Sequence, residues 1–191
     1  MKDNSNELAK TELREHYLRS VKNPKVLECF AGENRKLYHA CYEGTVDSIT
    51  SLDLKQTTGV IGIDNKKFIA STDIEKYNFF DLDAYGDPYE LLLNIMKRKQ
   101  NEPYVVIITD GLHDNLIYGA GSKLIQTLIN NKARIKIPLL NHHHEFIIKI
   151  ILKKFSDKYK VQMSGIKIIR ETTHNKMIYF GMVCNPDGHN L

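Results

Sequence analysis

The sequence predicts an α/β fold, in which an open and mostly parallel sheet carries helices on both faces and ends in an antiparallel hairpin. Strand-like runs alternate with helical patterns through most of the chain. The run YVVIIT at residues 104–109 has the near-continuous apolar character of a central strand buried on both faces. Two final strand-like runs, residues 161–170 and 177–184, are joined by so short a polar connection that they must pair in antiparallel fashion.

The N-terminal segment predicts an amphipathic helix. Apolar residues recur at roughly helical spacing over residues 7–21, and Asn23-Pro24 ends the pattern. A chain of 191 residues has the size of one ordinary domain. We therefore predict that residues 1–24 form a helix that packs on a single domain comprising residues 25–191.

The α/β alternation begins with a strand at residues 25–30, a turn at Ala31-Gly32 and a helix at residues 34–43. Strand, glycine turn and helix form the opening unit of a nucleotide-binding sheet. Further strands are predicted at residues 48–54, 60–63 and 77–82. Helical segments are predicted at residues 66–71, 88–99, 122–131 and 145–159.

Composition limits the class of protein. No apolar run approaches the roughly 20 residues that a membrane span needs, and the charged N-terminus has no secretory signal. The three cysteines form neither a CxxC pair nor a disulfide framework. We expect a cytoplasmic protein without membrane association. The formal net charge of +4 is too small to indicate nucleic-acid binding by itself.

Every predicted parallel strand ends at an acidic residue. In open α/β sheets ligands bind outside the carboxyl ends of the strands, and like charges that converge there repel one another unless a ligand or partner occupies the site. This pattern predicts a binding site at that edge, although an N-cap of the following helix is the alternative explanation for Asp64 and Asp110. The acids at the strand ends are Glu28, Asp53, Asp64, Asp81, Asp83 and Asp110.

The acids indicate the kind of ligand. Carboxylates accept hydrogen bonds from ribose hydroxyls and from an exocyclic amine. A dinucleotide would also need a pyrophosphate cradle such as GxGxxG, whereas the first turn here is AGENR, with one glycine beside an acid. The Walker A pattern is absent as well. The sequence therefore favours a nucleoside cofactor that is itself positively charged, such as S-adenosylmethionine.

Four motifs resemble those of the Rossmann-fold (class I) S-adenosylmethionine-dependent methyltransferases. They are VLECFAGENR at residues 26–35, SLDL at residues 51–54, GVIGIDNKKF at residues 59–68 and FDLDAYGDPY at residues 80–89. The fourth is similar to the DPFGSP stretch of the tRNA guanine-N2 dimethyltransferases, which residues 83–88 match in part. The resemblance implies a Rossmann-like, methyltransferase-like domain over residues 25–191.

The resemblance also implies roles for individual residues. In the fourth motif, Asp83 would orient the acceptor, Tyr85 would stack on a planar target and Gly86 would leave room for it. Unless the strand has already ended at Leu82, we expect Asp81 and Asp83 to point to opposite faces of the sheet, and of the two we assign Asp83 to the substrate. The residues implied in cofactor binding are Glu28, Phe30, Ala31, Gly32, Asp53, Leu54, Asp64, Asn65 and Asp81.

Other polar groups are weaker candidates. His113 and Asp114 follow the strand at residues 104–109 and could form part of a substrate wall. The run His142-His143-His144 is not expected to bind a metal, because consecutive helical residues point about 100° apart and cannot converge on one ion.

The implied activity is N-methylation of a base in RNA or DNA, with tRNA among the candidate substrates. A small-molecule or protein methyltransferase is an alternative. A catalytically inactive cofactor-binding protein that serves as a regulator or subunit is another. Two departures from the motifs keep these alternatives open: Asn34 replaces the usual second glycine of the first motif, and Ala84 replaces the proline of the fourth.

Overall fold

A computed structural model describes residues 6–84, 86–99, 101–111, 141–170 and 177–186, with the backbone alone at residues 141–143 and 170. The helices are α1 (Glu7–Leu18), α2 (Asn65–Ser71), α3 (Tyr89–Arg98) and α4 (Asn141–Tyr159). The strands are β1 (Lys25–Cys29), β2 (Ser48–Asp53), β3 (Ile61–Gly62), β4 (Phe79–Leu82), β5 (Tyr104–Asp110), β6 (Val161–Arg170) and β7 (Ile178–Pro186). The helix predicted at residues 122–131 lies outside the described ranges.

The segment after β1 differs from its prediction. In place of a helix over residues 34–43, the structure has a five-residue π-helical turn, Tyr38–Tyr42. Arg35 adopts a left-handed conformation with φ of 45°. A right-handed helix cannot run through such a residue, so helical structure begins only after it.

Seven strands form one sheet in the order β3-β2-β1-β4-β5-β7-β6. The first five are parallel, and β7 runs antiparallel to both β5 and β6. The predicted open, mostly parallel sheet with a C-terminal antiparallel hairpin is therefore confirmed. The strand order reverses between β1 and β4, and this switch point is where open α/β sheets bind their ligands.

Helices cover both faces of the sheet. On one face, α2, α3 and α4 bury a large apolar cluster that includes Leu27, Ile69, Leu92, Ile108 and Phe155. On the other face, α1 and the π-helical turn bury a second cluster, which includes Leu13, Tyr17, Val26, Tyr42 and Phe79. Within the described ranges, no helix combines the length and the apolar character needed to cross a membrane.

Helix α1 is fixed to the hairpin by Tyr17. The Tyr17 hydroxyl donates to the Gly181 carbonyl at 2.6 Å and accepts from the Lys167 backbone N–H at 3.0 Å. At the start of the helix, the Asn6 side chain accepts from the Ala9 N–H at 3.0 Å and so caps the first turn. These contacts connect the N-terminal helix to strands more than one hundred residues later in the chain.

A Gly181→Ala substitution should loosen this docking. A Cβ at Gly181 would lie 2.4 Å from Tyr17 Cε2 and 2.8 Å from Ile107 Cδ1. Overpacking of this kind costs about 1–3 kcal/mol, and chemical denaturation should show a loss of that size. Gly86→Ala is the control, since a Cβ there meets no atom of the described residues within 4 Å. Equal stability of the two variants would contradict the packing described for α1.

Candidate functional site

The chain turns sharply after β1, at residues 30–32, here called the β1 turn. Phe30 and Gly32 have φ of 65° and 69°, in the left-handed region. A left-handed conformation is strained for Phe30, and such strain concentrates at functional sites. The Ala31 N–H donates to the Leu52 carbonyl at 2.9 Å, which fixes the turn to β2. A Cβ at Gly32 would meet no atom of residues 6–84 or of the other described ranges within 4 Å, so among these residues the turn opens onto free space.

The acid at the end of β2 is joined to this turn. The Gly32 N–H donates to Asp53 Oδ2 at 3.0 Å, and the Lys55 N–H donates to Asp53 Oδ1 at 3.2 Å. Each carboxylate oxygen has two acceptor sites, so half-buried Asp53 can accept further hydrogen bonds. The next residue, Leu54, is 77% exposed. The ends of β1 and β2 thus form one rim with a polar acceptor and an apolar side chain.

The acid after β3 caps a helix. Asp64 Oδ1 accepts from the backbone N–H groups of Lys66 and Lys67 at 2.9 and 3.0 Å, as the N-cap alternative expects. Asn65 is buried, and its Oδ1 has no hydrogen-bond partner. A role for Asp64 and Asn65 in cofactor binding stays a prediction.

A cavity of about 260 Å³ lies between the β1 turn and the first half of α1. It is lined by residues 30–37, by Glu7 and Lys10 of α1, and by Asp83. Phe30, Ala31, Gly32 and Asp83 were predicted site residues, whereas the two α1 residues were not. The charged side chains of the lining are three acids and three bases, namely Glu7, Glu33, Asp83, Lys10, Arg35 and Lys36.

Asp83 has contacts at both carboxylate oxygens. Lys10 Nζ donates to Oδ2 at 2.7 Å, and Thr109 Oγ1 donates to Oδ1 at 2.5 Å. Arg14 Nη2 lies 3.8 Å from Oδ1. Asp83 is 8% exposed, so the acid assigned to the substrate stands at the cavity wall in an ion pair with α1.

Asp81 is fully buried and held by two side chains. Arg14 donates to both of its oxygens, from Nε at 2.7 Å and from Nη2 at 2.6 Å, and the Tyr42 hydroxyl donates at 2.6 Å. Burial lowers the pKa of Arg14, but the charge of Asp81 and then that of Asp83 raise it, with a net increase that keeps the guanidinium charged. This arrangement differs from the predicted cofactor contact, because Asp81 has no exposed surface.

The expectation that Asp81 and Asp83 face opposite sides of the sheet is wrong. Arg14 lies within 4 Å of both carboxylates, on the α1 face. Side chains two residues apart in a strand point to the same face, and only adjacent ones alternate. Both acids of the fourth motif therefore meet the N-terminal helix.

Glu28 lies beside Asp81 and Ser51 in the sheet register and is 1% exposed. Ser51 Oγ donates to Glu28 Oε2 at 2.6 Å, and Arg35 Nη2 donates to Ser51 Oγ at 3.1 Å. The other oxygen, Oε1, has no hydrogen-bond partner within the part of the chain that the structure describes. Burial raises the pKa of Glu28 from about 4.5 to about 7, against the opposing effect of the Ser51 hydrogen bond. Glu28 can therefore change charge near neutral pH.

Of the remaining candidates, Gly86 and Asp110 lie in described parts of the chain. The Gly86 carbonyl accepts from the Gly111 N–H at 3.2 Å, which joins the end of the fourth motif to the end of β5. Asp110 accepts from the Tyr89 hydroxyl at 2.5 Å and lies 3.1 Å from His144 Nε2, buried between α3 and α4. Tyr85, His113 and Asp114 lie outside the described residues.

The sequence does contain a pattern that indicates burial of Lys10 and Arg14. Lys10, Arg14 and Tyr17 are spaced i, i+4 and i+7 and share the face of α1 that carries Leu13. Charged residues on the apolar face of an amphipathic helix indicate buried partners, since long charged side chains are rarely buried unpaired. The positions of those partners, in contrast, depend on the tertiary structure.

No protein-family model and no curated protein sequence matches this chain significantly. Solved structures do resemble it. Trm1 from Pyrococcus horikoshii in complex with S-adenosyl-L-methionine is 15% identical, with a TM-score of 0.58 over 95% of this chain and 56% of Trm1. The plantazolicin methyltransferase BpumL in complex with SAH is 14% identical, with a TM-score of 0.55 over 94% of this chain and 83% of BpumL.

A third structure, a candidate hemolysin from Lactococcus lactis, is 11% identical, with a TM-score of 0.58 over 98% of this chain and 90% of that one. At these identities the likeness shows the fold alone. The chain thus has the fold of these proteins, one of which is a methyltransferase by name, and it spans little more than half the length of Trm1.

Arg14→Met should destabilise the protein strongly, because it leaves Asp81 buried without its cation. Loss of one partner of a buried ion pair costs about 3–5 kcal/mol, measurable by urea denaturation. Arg19→Met is the control, since the Arg19 side chain is 81% exposed. Adding Asp81→Asn to Arg14→Met should restore part of the stability, and a further loss in the double variant would contradict the pairing.

Glu28 should make stability depend on pH. Between about pH 4.5 and 7 the folded state keeps the Glu28 proton while the unfolded state has lost it, so stability falls as pH rises through this window. Glu28→Gln should remove this slope and raise the free energy of unfolding at pH 8 by up to about 3 kcal/mol. Denaturation at pH 5 and 8 measures both effects, with exposed Glu15→Gln as control. An unchanged slope in Glu28→Gln would refute the assignment.

Proposed function

We propose that the chain is an S-adenosylmethionine-dependent methyltransferase that binds its cofactor at the carboxyl ends of β1 and β2. The observation that carries this proposal is the hydrogen bond from the Gly32 N–H to the Asp53 carboxylate at 3.0 Å. Because of this bond, the Gly32 turn, which lines the cavity, lies next to Asp53. A carboxylate in this position can accept hydrogen bonds from ribose hydroxyls. A pyrophosphate-binding glycine pattern is missing from the same turn, which supports a cofactor without phosphates.

The residues present fit that cofactor. The open space at Gly32 allows the methionine part to approach the backbone. Asp53 keeps acceptor sites for the ribose, and exposed Leu54 offers an apolar surface to the adenine. The balanced charges of the cavity lining suit an amino-acid end that carries both an ammonium and a carboxylate.

Glu28 is assigned to the cofactor ammonium, either directly or through water. Its Oε1 has no hydrogen-bond partner among the described residues, and a buried polar atom without a partner is unfavourable. A cation nearby would favour ionised Glu28 and offset the effect of burial, which raises the pKa of the carboxyl to about 7. The assignments of Phe30, Ala31, Asp64 and Asn65 to the same cofactor follow the motif resemblance.

When bound, this cofactor supplies an electrophilic methyl group. Transfer to an acceptor is an in-line displacement, to which the protein contributes mainly proximity and orientation. We assign the orientation of an acceptor to Asp83, which accepts a hydrogen bond from Thr109 at the cavity wall. Gly86 and Tyr85 follow it in the fourth motif, and we assign the acceptor to this stretch.

We further propose a base of RNA or DNA as the acceptor, with a ring nitrogen or exocyclic amine as the methylated group. The similarity of residues 83–88 to the tRNA guanine-N2 dimethyltransferases supports this choice, as does the shared fold with Trm1. The plantazolicin methyltransferase with the same fold keeps a small-molecule or protein substrate as the second candidate. A binding-only role is the third, since Ala84 and Asn34 depart from the motifs.

Cofactor binding tests the proposal first. Isothermal titration of S-adenosylmethionine should show binding to the wild-type protein, and Asp53→Ala should weaken it by about tenfold or more through loss of a charge-assisted contact. Exposed Asp73→Ala is the control. Absence of binding to the wild-type protein would overturn the methyltransferase proposal.

Transfer of tritium from labelled cofactor to pools of tRNA, DNA and protein then identifies the acceptor class. Label in nucleic acid is expected, and Asp83→Ala should abolish it while the cofactor still binds. Label in protein alone would overturn the nucleic-acid proposal. Binding without transfer to any pool would favour the regulatory alternative.

A further inference from the structure

We infer that Lys10 cancels the charge of Asp83 at the cavity and thereby sets how the site discriminates the charged cofactor S-adenosylmethionine from its neutral product S-adenosylhomocysteine. This inference rests on the proposed function. It assigns a specificity-determining role to the N-terminal helix, which none of the four sequence motifs includes.

The geometry of the pair carries the inference. Lys10 and Asp83 both line the cavity, and their charged atoms are 2.7 Å apart. Both side chains are at least 90% buried. Water screens such a pair much less than a pair on the surface, so its field acts on whatever enters the cavity.

The pair cannot easily rearrange. Thr109 holds the second oxygen of Asp83, and one helical turn further along α1, Arg14 is locked to Asp81. Together Lys10, Arg14, Asp81 and Asp83 carry two positive and two negative charges. The cluster is therefore neutral, and α1 supplies both of its cations.

The neutrality of this cluster affects how strongly the site attracts the positively charged sulfur of the cofactor. A lone carboxylate at the cavity wall would attract the sulfonium of S-adenosylmethionine and leave the uncharged thioether of the product unaffected. During transfer the positive charge leaves the sulfur, so such attraction would stabilise the starting state more than the transition state and slow the reaction. By neutralising Asp83, Lys10 leaves its carboxylate as an orienting acceptor without this cost.

The experiment measures the ratio of the dissociation constants of S-adenosylhomocysteine and S-adenosylmethionine by isothermal titration. Lys10→Met should raise this ratio by about fivefold or more, because the uncompensated Asp83 then favours the sulfonium. Lys10→Arg keeps the charge and should leave the ratio within about twofold of wild type. Lys22→Met removes an exposed cation that is not among the residues lining the cavity and is the matched control.

Asp83→Asn gives an independent test with the opposite sign. It removes the negative charge that lies 2.7 Å from Lys10 at the cavity, so the ratio should fall by about threefold or more. If thermal unfolding shows that Lys10→Met does not fold, the ratio measured for Asp83→Asn tests the inference in its place. Ratios unchanged in the folded variants would overturn the inference while leaving the proposed function intact. A wild-type protein that binds neither compound would instead overturn the proposed function.

Discussion

The buried ion pair between Arg14 and Asp81 is the interaction on which the site depends. Neither side chain has any exposed surface, and the pair joins the N-terminal helix to the strand at the switch point of the sheet. A buried carboxylate that loses its cation is strongly unfavourable. Detachment of helix α1 from the sheet would therefore expose Asp81 or leave it buried without its cation. The same ion pair thus holds in place the cavity wall that α1 provides.

This pair also fixes the register of the helix. When Arg14 pairs with Asp81, Lys10 reaches Asp83. Tyr17, on the same face of the helix, lies against Gly181. The spacings of these three helix residues are those of one face of an α-helix. A single helix face thus aligns three points of the sheet, and a shift by one residue would break all three contacts. The helix acts as a structural part of the proposed site as well as a cover for the core.

The sequence predicts the sheet well because its signals are local. The apolar run of β5 and the short connection before β7 each determine a strand arrangement without knowledge of distant residues. The contacts of α1 could not be predicted in this way, since Lys10 and Arg14 meet partners 73 and 67 residues away. The π-helical turn was missed for a related reason: nothing in the residue type of Arg35 indicates its left-handed backbone.

Acids gather at one edge of the sheet, and each is accommodated differently. Asp81 and Asp83 pair with cations of α1, Asp64 caps a helix, and Asp110 accepts from Tyr89. The remaining two are Glu28, whose pKa burial raises to about 7, and Asp53, which accepts from backbone N–H groups and keeps further acceptor sites. Repulsion among these acids therefore does not by itself require a ligand. The stronger reason to infer one is the β1 turn, where the left-handed conformation of Phe30 is strained and Gly32 lines the cavity.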